Sequence, residues 1–162
     1  MLSGYAADHM PLAVGSVAPD FQLTADDGSQ VRLSDLKGSP VVLFFYPRDR
    51  SRGCSREACG FRDNYAAFRE FGAVLLGISS DGIESHQRFV AEQRLPYRLL
   101  SDPGGVVGRC YRVGKWLGIL PNRVTFVIDA TGVIRSVFES QLLVEEHVGR
   151  ALAAVRGLGR VA

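Results

Sequence analysis

The chain has 162 residues, enough for one ordinary domain that buries about 70% of its unfolded surface without staples. With 46% hydrophobic and 22% charged residues it is not a disordered chain. Nineteen basic and 17 acidic residues leave a net charge of +2, too balanced for nucleic acid or anionic membrane to be the main partner.

Three cysteines exclude a disulfide-framework fold. The longest apolar run, Val41 to Tyr46, is far too short to span a bilayer. Residues 1–13 lack the basic start and sustained apolar stretch of a signal peptide, and the Arg-rich pattern of a transit peptide. They are expected to form a flexible extension ahead of one domain over 14–162, with the cytoplasm as the default location.

Phe21 to Thr24 and Gln30 to Leu33 flank Asp26-Asp27-Gly28 and predict a small hairpin. Val41 to Tyr46, stopped by Pro47, predicts a strand buried on both faces. Ala58, Phe61, Tyr65 and Phe68 fall at i, i+3, i+7 and i+10, one face of a helix. Ala73 to Ser79 predicts a second buried strand, and Ile83 to Arg94 a helix with Phe89 and Val90 as its apolar contribution.

Leu99 leads into the turn Ser101-Asp102-Pro103-Gly104, then a short helix runs to about Tyr111. Residues 112–122 read as a loop. Val124 to Asp129 and Val133 to Phe138, joined by Ala130-Thr131-Gly132, predict a hairpin. Val144, Val148, Leu152 and Val155 mark a last helix. The order is β-α-β-α followed by β-β-α. It predicts an α/β domain of thioredoxin-like order, a central mixed sheet flanked by helices, with an added N-terminal hairpin.

Chemistry concentrates between Pro47 and Cys59. Cys54 falls where a central strand ends and a helix begins. Unpaired backbone N–H groups and the positive dipole end stabilise an anion there, and for cysteine the anion is the nucleophilic thiolate. Arg48, Arg50, Arg52 and Arg56 crowd the same corner. A small buried structural thiol is the alternative, disfavoured by charged neighbours and glycine where apolar residues would be needed.

Cys59 follows five residues later. In an ideal helix the two Cα atoms stand about 8.6 Å apart, whereas a disulfide needs less than about 7 Å. The two thiols can therefore bond only if the helix unwinds. By spacing alone, Cys59 is as readily structural as reactive. No C-x2-C pair or nearby histidine completes a metal set, so no metal is expected.

The segment resembles the active site of the peroxiredoxins, thiol peroxidases of thioredoxin-like fold with a Pro-x3-Thr/Ser-x2-Cys signature. Pro47, Ser51 and Cys54 fit it. The nearest group is the bacterioferritin-comigratory-protein or Q type, whose usual run is Thr-Pro-Gly-Cys-Thr, then an acidic position and Ala-Cys. Ala18-Pro19-Asp20-Phe21, Phe44-Phe45-Tyr46-Pro47, Gly60-Phe61-Arg62-Asp63, Gly77-Ile78-Ser79, Leu100-Ser101-Asp102 and Arg123 to Asp129 extend the match over about residues 14–155.

The resemblance implies that Cys54 is the peroxidatic thiol, oxidised to sulfenic acid by hydrogen peroxide or organic hydroperoxides. Cys59 is then the resolving thiol, closing a Cys54–Cys59 disulfide that thioredoxin or a similar dithiol reduces. Ser51, Arg123 and the Gly53 and Cys54 amides are expected to contact the peroxide, Glu57 to orient Arg123, and Pro47 to screen the thiolate. No cofactor is required. A monomer is the expected state, a weak dimer the alternative. Ser51 in place of the commoner Thr, and Arg52 in place of the usual Pro, depart from the pattern.

Cys110 is expected in the core or on a helix. Trp116, Leu117, Ile119 and Leu120 are assigned to a peroxide entrance, a dimer contact or plain packing, and His9, His86 and His147 receive no role. Two other readings of the same fold remain. A general thiol–disulfide oxidoreductase would want a second cysteine where Glu57 stands. A redox sensor without turnover would use the same thiolate.

Overall fold

Neither face of the run Val41–Phe45 tolerates water, and the chain wraps both. The computed structural model describes residues 10–116 and 120–159. Its elements are β1 (Gln22–Ala25), β2 (Gln30–Arg32), β3 (Val41–Phe45), α1 (Arg52–Asp63), α2 (Tyr65–Glu70), β4 (Val74–Ser79) and α3 (Ile83–Gln93). They continue with β5 (Arg98–Ser101), α4 (Val106–Cys110), β6 (Lys115–Trp116), β7 (Leu120–Pro121), β8 (Val124–Ile128), β9 (Ile134–Glu139) and α5 (Val144–Leu158).

Seven strands form one sheet in the order β2-β1-β5-β4-β3-β8-β9. β3, β4 and β5 run parallel, and β8 lies antiparallel to β3 with Phe44 opposite Thr125. This is the expected mixed, thioredoxin-like sheet. The N-terminal hairpin joins it through antiparallel pairing of β1 with β5.

The period of two along β3 sorts the core. Val41, Leu43 and Phe45 point into one apolar layer, with Phe21, Tyr111 and Phe126. Val42, Phe44 and Tyr46 point into the other, with Cys54, Phe61, Phe89, Val148 and Leu152. Phe44 stacks on Phe61 of α1 at 4.5 Å between centroids. Its ring lies over Gly77 of β4, where an added Cβ would stand 2.8 Å from Phe44 Cζ and 2.7 Å from Leu99 Cδ2. A bare backbone there lets the ring lie flat and sets how closely α1 approaches the sheet.

Three expectations are corrected. The helix read from Ala58 to Phe68 is two helices, because Asn64 breaks the run and both its backbone N–H and its side-chain amide donate to Gly60 O, at 3.2 and 2.8 Å. Residues 98–101 form a sheet strand rather than a lead into a turn. The segment 112–122 holds the small β6–β7 ribbon. Leu117, Ile119 and the side chain of Trp116 lie outside the described residues, as do His9 and residues 1–9. Leu12 donates its N–H to Tyr111 O at 3.2 Å and packs against the core.

Gly77→Ala tests the Phe44 contact. Overpacking here should cost about 1–3 kcal/mol and lower the melting temperature by several degrees, read by thermal unfolding. An unchanged melting temperature would show that the ring yields freely.

Candidate active site

The strand β3 delivers the chain to a loop that is clamped before the helix starts. Tyr46 donates its hydroxyl to Asp49 Oδ1 at 2.6 Å, and Asp49 Oδ2 takes Ser85 Oγ at 2.8 Å and His86 Nδ1 at 2.7 Å. The Asp49 N–H donates to Asp81 Oδ2 at 2.8 Å, and His86 Nε2 lies 3.0 Å from Leu100 O. Asp49 and His86 are buried, so Pro47 to Ser51 are fixed against β4 and α3. Arg50 takes a left-handed conformation, φ 64°, a strained choice for a non-glycine residue that the clamp supports. His86, unassigned from sequence, is part of this framework.

Ser51 then caps α1. Its backbone is extended, and its Oγ accepts the Cys54 N–H at 3.2 Å. Cys54 is therefore the third helical residue, in the first turn as expected. Contrary to the expectation that the Cys54 amide points free into the corner, it is engaged by its own cap. A second correction concerns surroundings. Cys54 is 1% exposed and belongs to the apolar layer of Phe44, Tyr46 and Phe61, so charge meets it only from the loop side.

On that side stands Arg123, immediately before β8 and 5% exposed. Its Nη1 donates to Glu57 Oε1 at 3.2 Å. Its Nη2 lies 3.0 Å from where a Cβ on Gly53 would stand, so glycine lets the guanidinium lie against the first turn of α1. Its Nε has no hydrogen-bond partner among the described residues. A cleft of about 260 Å³ opens beside these groups, lined by Pro47, Arg48, Ser51, Gly53, Leu120, Arg123, Gln141 and Leu142.

Glu57, one turn beyond Cys54, is fully buried. Burial pushes its carboxyl up to about 8, against the opposing pull of Arg123. Its second oxygen, Oε2, makes no hydrogen bond among the described residues and lies 3.6 Å from His147 Nδ1. His147 is the residue that sequence reasoning missed. It sits far along the chain on α5 among apolar positions, and only the fold brings it to Glu57.

Cys59 is half-buried on the same continuous helix, its thiol donating to Gln93 Oε1 at 3.1 Å. All three cysteines are free thiols. Cys110 lies on α4 as anticipated, but exposed rather than in the core. Among the described residues no group of three or more His, Cys, Asp or Glu is arranged to hold a metal ion, and no helix is long and apolar enough to cross a membrane.

A thiol in the capped first turn of the helix that follows a central strand, on a sheet of this order, defines a thioredoxin-like thiol enzyme. The model of the AhpC/TSA family matches residues 14–137. Peroxiredoxin Q of the chloroplast of Triticum aestivum is 44% identical over 145 residues, 89% of this chain and 67% of its own length. The Suaeda salsa counterpart is likewise 44% identical, over 89% of this chain and 68% of its own. Among solved structures, peroxidoxin BcpB of Mycobacterium tuberculosis superposes with a TM-score of 0.84 at 39% identity, covering 93% and 99% of the two chains. The bacterioferritin comigratory protein of Xanthomonas campestris, described for its alkyl peroxide reduction, has a TM-score of 0.81 at 29% identity over 90% and 96%. The chain belongs to the AhpC/TSA family, in its peroxiredoxin Q branch, and is a peroxidase of the thiol type.

Gly53→Ala separates site from fold. Alanine favours the helix by up to about 1 kcal/mol over glycine, so the melting temperature should hold or rise. The new methyl pushes Arg123 Nη2 aside by a few tenths of an ångström while Nη1 keeps Glu57, and the rate of peroxide consumption should fall several-fold, up to about tenfold. Unchanged turnover would mean that Arg123 need not lie against the helix.

Proposed function

We propose that Cys54 is the peroxidatic nucleophile for hydrogen peroxide and organic hydroperoxides, with Arg123, Ser51 and Gly53 as the groups that receive the peroxide. The observation that carries this is the position of Cys54 in a capped first helical turn beside the partly unengaged guanidinium of Arg123.

The Cys54 thiolate attacks the terminal peroxide oxygen along the O–O axis. The O–O bond breaks, a sulfenic acid forms, and the leaving oxygen departs as water or alcohol once it gains a proton. Charge grows on that oxygen as it leaves, so fixed donors aimed at it lower the barrier. Arg123 supplies them with Nη2 and Nε, while Nη1 stays on Glu57. Ser51 accepts the Cys54 N–H through a lone pair and keeps its own O–H to give. Pro47, Leu120 and Leu142 present apolar surface to the cleft, which suits an alkyl group on the peroxide.

Resolution requires α1 to open. It is held by the Ser51 cap, the Arg123–Glu57 pair, the Cys59 thiol on Gln93 Oε1 at 3.1 Å, Tyr97 Oη to Ala58 O at 2.6 Å and Arg62 Nη1 to Gln93 O at 2.6 Å. Arg56 pairs with Glu145 at the surface, a contact of little weight. Once the first turns unwind, the Cys59 thiol attacks the sulfenic sulfur, expelling water and closing the Cys54–Cys59 disulfide. A dithiol reductant, for which thioredoxin is the natural fit, then returns both thiols. We place the protein in the cytoplasm as a monomer whose domain spans residues 14–162.

Pre-reduced protein should consume peroxide far faster than free cysteine in stopped flow, and Cys54→Ser should abolish this. Cys59→Ser should still react once, halting at a sulfenic acid that dimedone traps. Retained reactivity in Cys54→Ser would pass the function to another group.

Glu57 links opening to pH. In the unwound helix its carboxyl returns to about 4.3, while in the native helix it stands near 8. The native helix therefore binds the extra proton, and that stabilisation is fully present below about 4.3 and lost as pH rises through about 8. Hydrogen exchange of α1 amides, corrected for intrinsic rates, should show the opening constant rising by up to about tenfold per pH unit within this window. Glu57→Gln should flatten the rise, and a rise that survives in that variant would assign the proton elsewhere.

A further inference from the structure

Behind Arg123 lies a buried polar group that the peroxide chemistry above does not use. His147, fully buried on α5, has its Nε2 2.8 Å from Ser140 O and its Nδ1 2.8 Å from Thr125 Oγ1. A carbonyl only accepts, so Nε2 carries the ring proton and Nδ1 presents a lone pair. The ring is held edge-on to Phe138, with centroids 4.7 Å apart, and Arg150 covers the far face of that region with its guanidinium 4.5 Å from the Phe138 ring. His147 is thus fixed from three sides, its one Nδ1 lone pair accepting the Thr125 hydroxyl. Beyond that bond, 3.6 Å from Nδ1, lies Glu57 Oε2, buried and without a hydrogen bond among the described residues.

An orphaned carboxyl oxygen in a low-dielectric interior is costly, and the His147 ring with its Thr125 partner is the polar group that α5 brings up to it. We propose that His147 is a positioning residue: facing Glu57 Oε2 from α5 across 3.6 Å, its Nδ1 accepts the proton of that carboxyl in exchange for the Thr125 hydroxyl, which turns Oε1 toward Arg123 and keeps the charge of Arg123 available to the Cys54 side. The inference rests on the assignment of Cys54 and Arg123 to the peroxide reaction.

The charges agree with this arrangement. Burial pushes Glu57 up to about 8 and holds His147 down to about 4, so near neutrality the shared proton belongs to the carboxyl and the imidazole is its acceptor. A neutral Glu57 leaves the cation of Arg123 to an anion in the cleft; an ionised Glu57 competes for it. The other groups around the pair are Arg123 from the start of β8, Tyr97 ahead of β5, which burial keeps protonated, and Cys54 on α1 itself. Glu145, also on α5, is exposed and pairs with Arg56. The Thr125 hydroxyl competes for the same Nδ1 lone pair, so the carboxyl proton is accepted when that hydroxyl turns away.

The test is the pH profile of peroxide consumption by the reduced protein, measured for wild type, His147→Gln, Glu57→Gln, the double variant and Arg123→Lys. The wild type should show a descending limb near pH 8 as Glu57 ionises. A glutamine amide at 147 donates to the ionised carboxylate, so His147→Gln should move that limb down by about one pH unit and slow the reaction about tenfold at pH 7.5, the scale of a hydrogen bond to a charged group. Glu57→Gln should lack the limb, and adding His147→Gln to it should change the rate less than twofold. That pattern supports the proposal.

A profile that His147→Gln leaves in place, or an equal loss on both backgrounds, overturns the role of His147 while leaving Arg123 intact. Undiminished activity in Arg123→Lys overturns the underlying assignment and the proposal with it. Should His147→Gln not fold, ¹⁵N shifts of the His147 ring in wild type and Glu57→Gln decide. A change at Nδ1 on removing the carboxyl supports the shared proton, and identical spectra refute it.

Discussion

The Arg123–Glu57 pair is the contact on which the rest of the site depends. It joins the start of β8 to the second turn of α1 in the interior, with Arg123 at 6% and Glu57 at 0% side-chain exposure. Taking either partner away leaves the other buried without its hydrogen bond, at a cost of about 1–3 kcal/mol. The pair also decides orientation. By tying one guanidinium nitrogen to α1 it directs the others past Gly53 toward the cleft. The helix that carries Cys54 and the arginine beside its first turn are thus positioned by one another, and opening α1 breaks the bond between them.

This mutual support orders the reduced site and concentrates its hold on α1 in few bonds, which the proposed opening would break together. Cys54 is packed beneath Phe44 and Phe61 on its inner side and capped by Ser51 at its outer side. Dispersion and the cap hold the turn; the carboxyl of Glu57, raised by burial, opposes it as pH climbs. The balance differs from that of an ordinary core helix, where no buried acid stands one turn from the residue that must be released.

Much of this was legible in the sequence, and the parts that were not share a cause. The apolar run at β3, the periodic face Val144, Val148, Leu152, Val155 and the position of Cys54 after Pro47 are local signals, and each gave the right element. β5 was missed because four residues led by Arg98 carry no period, and it becomes a strand only by pairing with β4 and β1. The break at Asn64 was hidden because Ala58 to Phe68 keeps helical spacing on both sides of it. Cys54 was read among charges because the nearest residues in sequence are arginines, whereas the nearest in space on one side are aromatic. Ser51, Glu57 and Arg123 are named by resemblance alone, and the fold brings all three to the first turns of α1. His147 had no local signature at all, since its meaning depends on a residue in another helix.

The clamp around Asp49 carries a consequence for the return half of any opening cycle. The side chains that hold Pro47 to Ser51 are Tyr46, Asp81, Ser85 and His86, none of which belongs to α1. The cap of the helix is therefore anchored to the sheet and to α3, not to the helix it caps. Starting a helix is the slow, unfavourable step, since several dihedrals must be fixed before the first bond is gained. Here the neighbours that keep Ser51 in its extended capping conformation lie outside α1, so unwinding α1 breaks none of their bonds to the loop. The loop acts as a standing nucleus, and rewinding of the first turns reduces to propagation along a mould that never left.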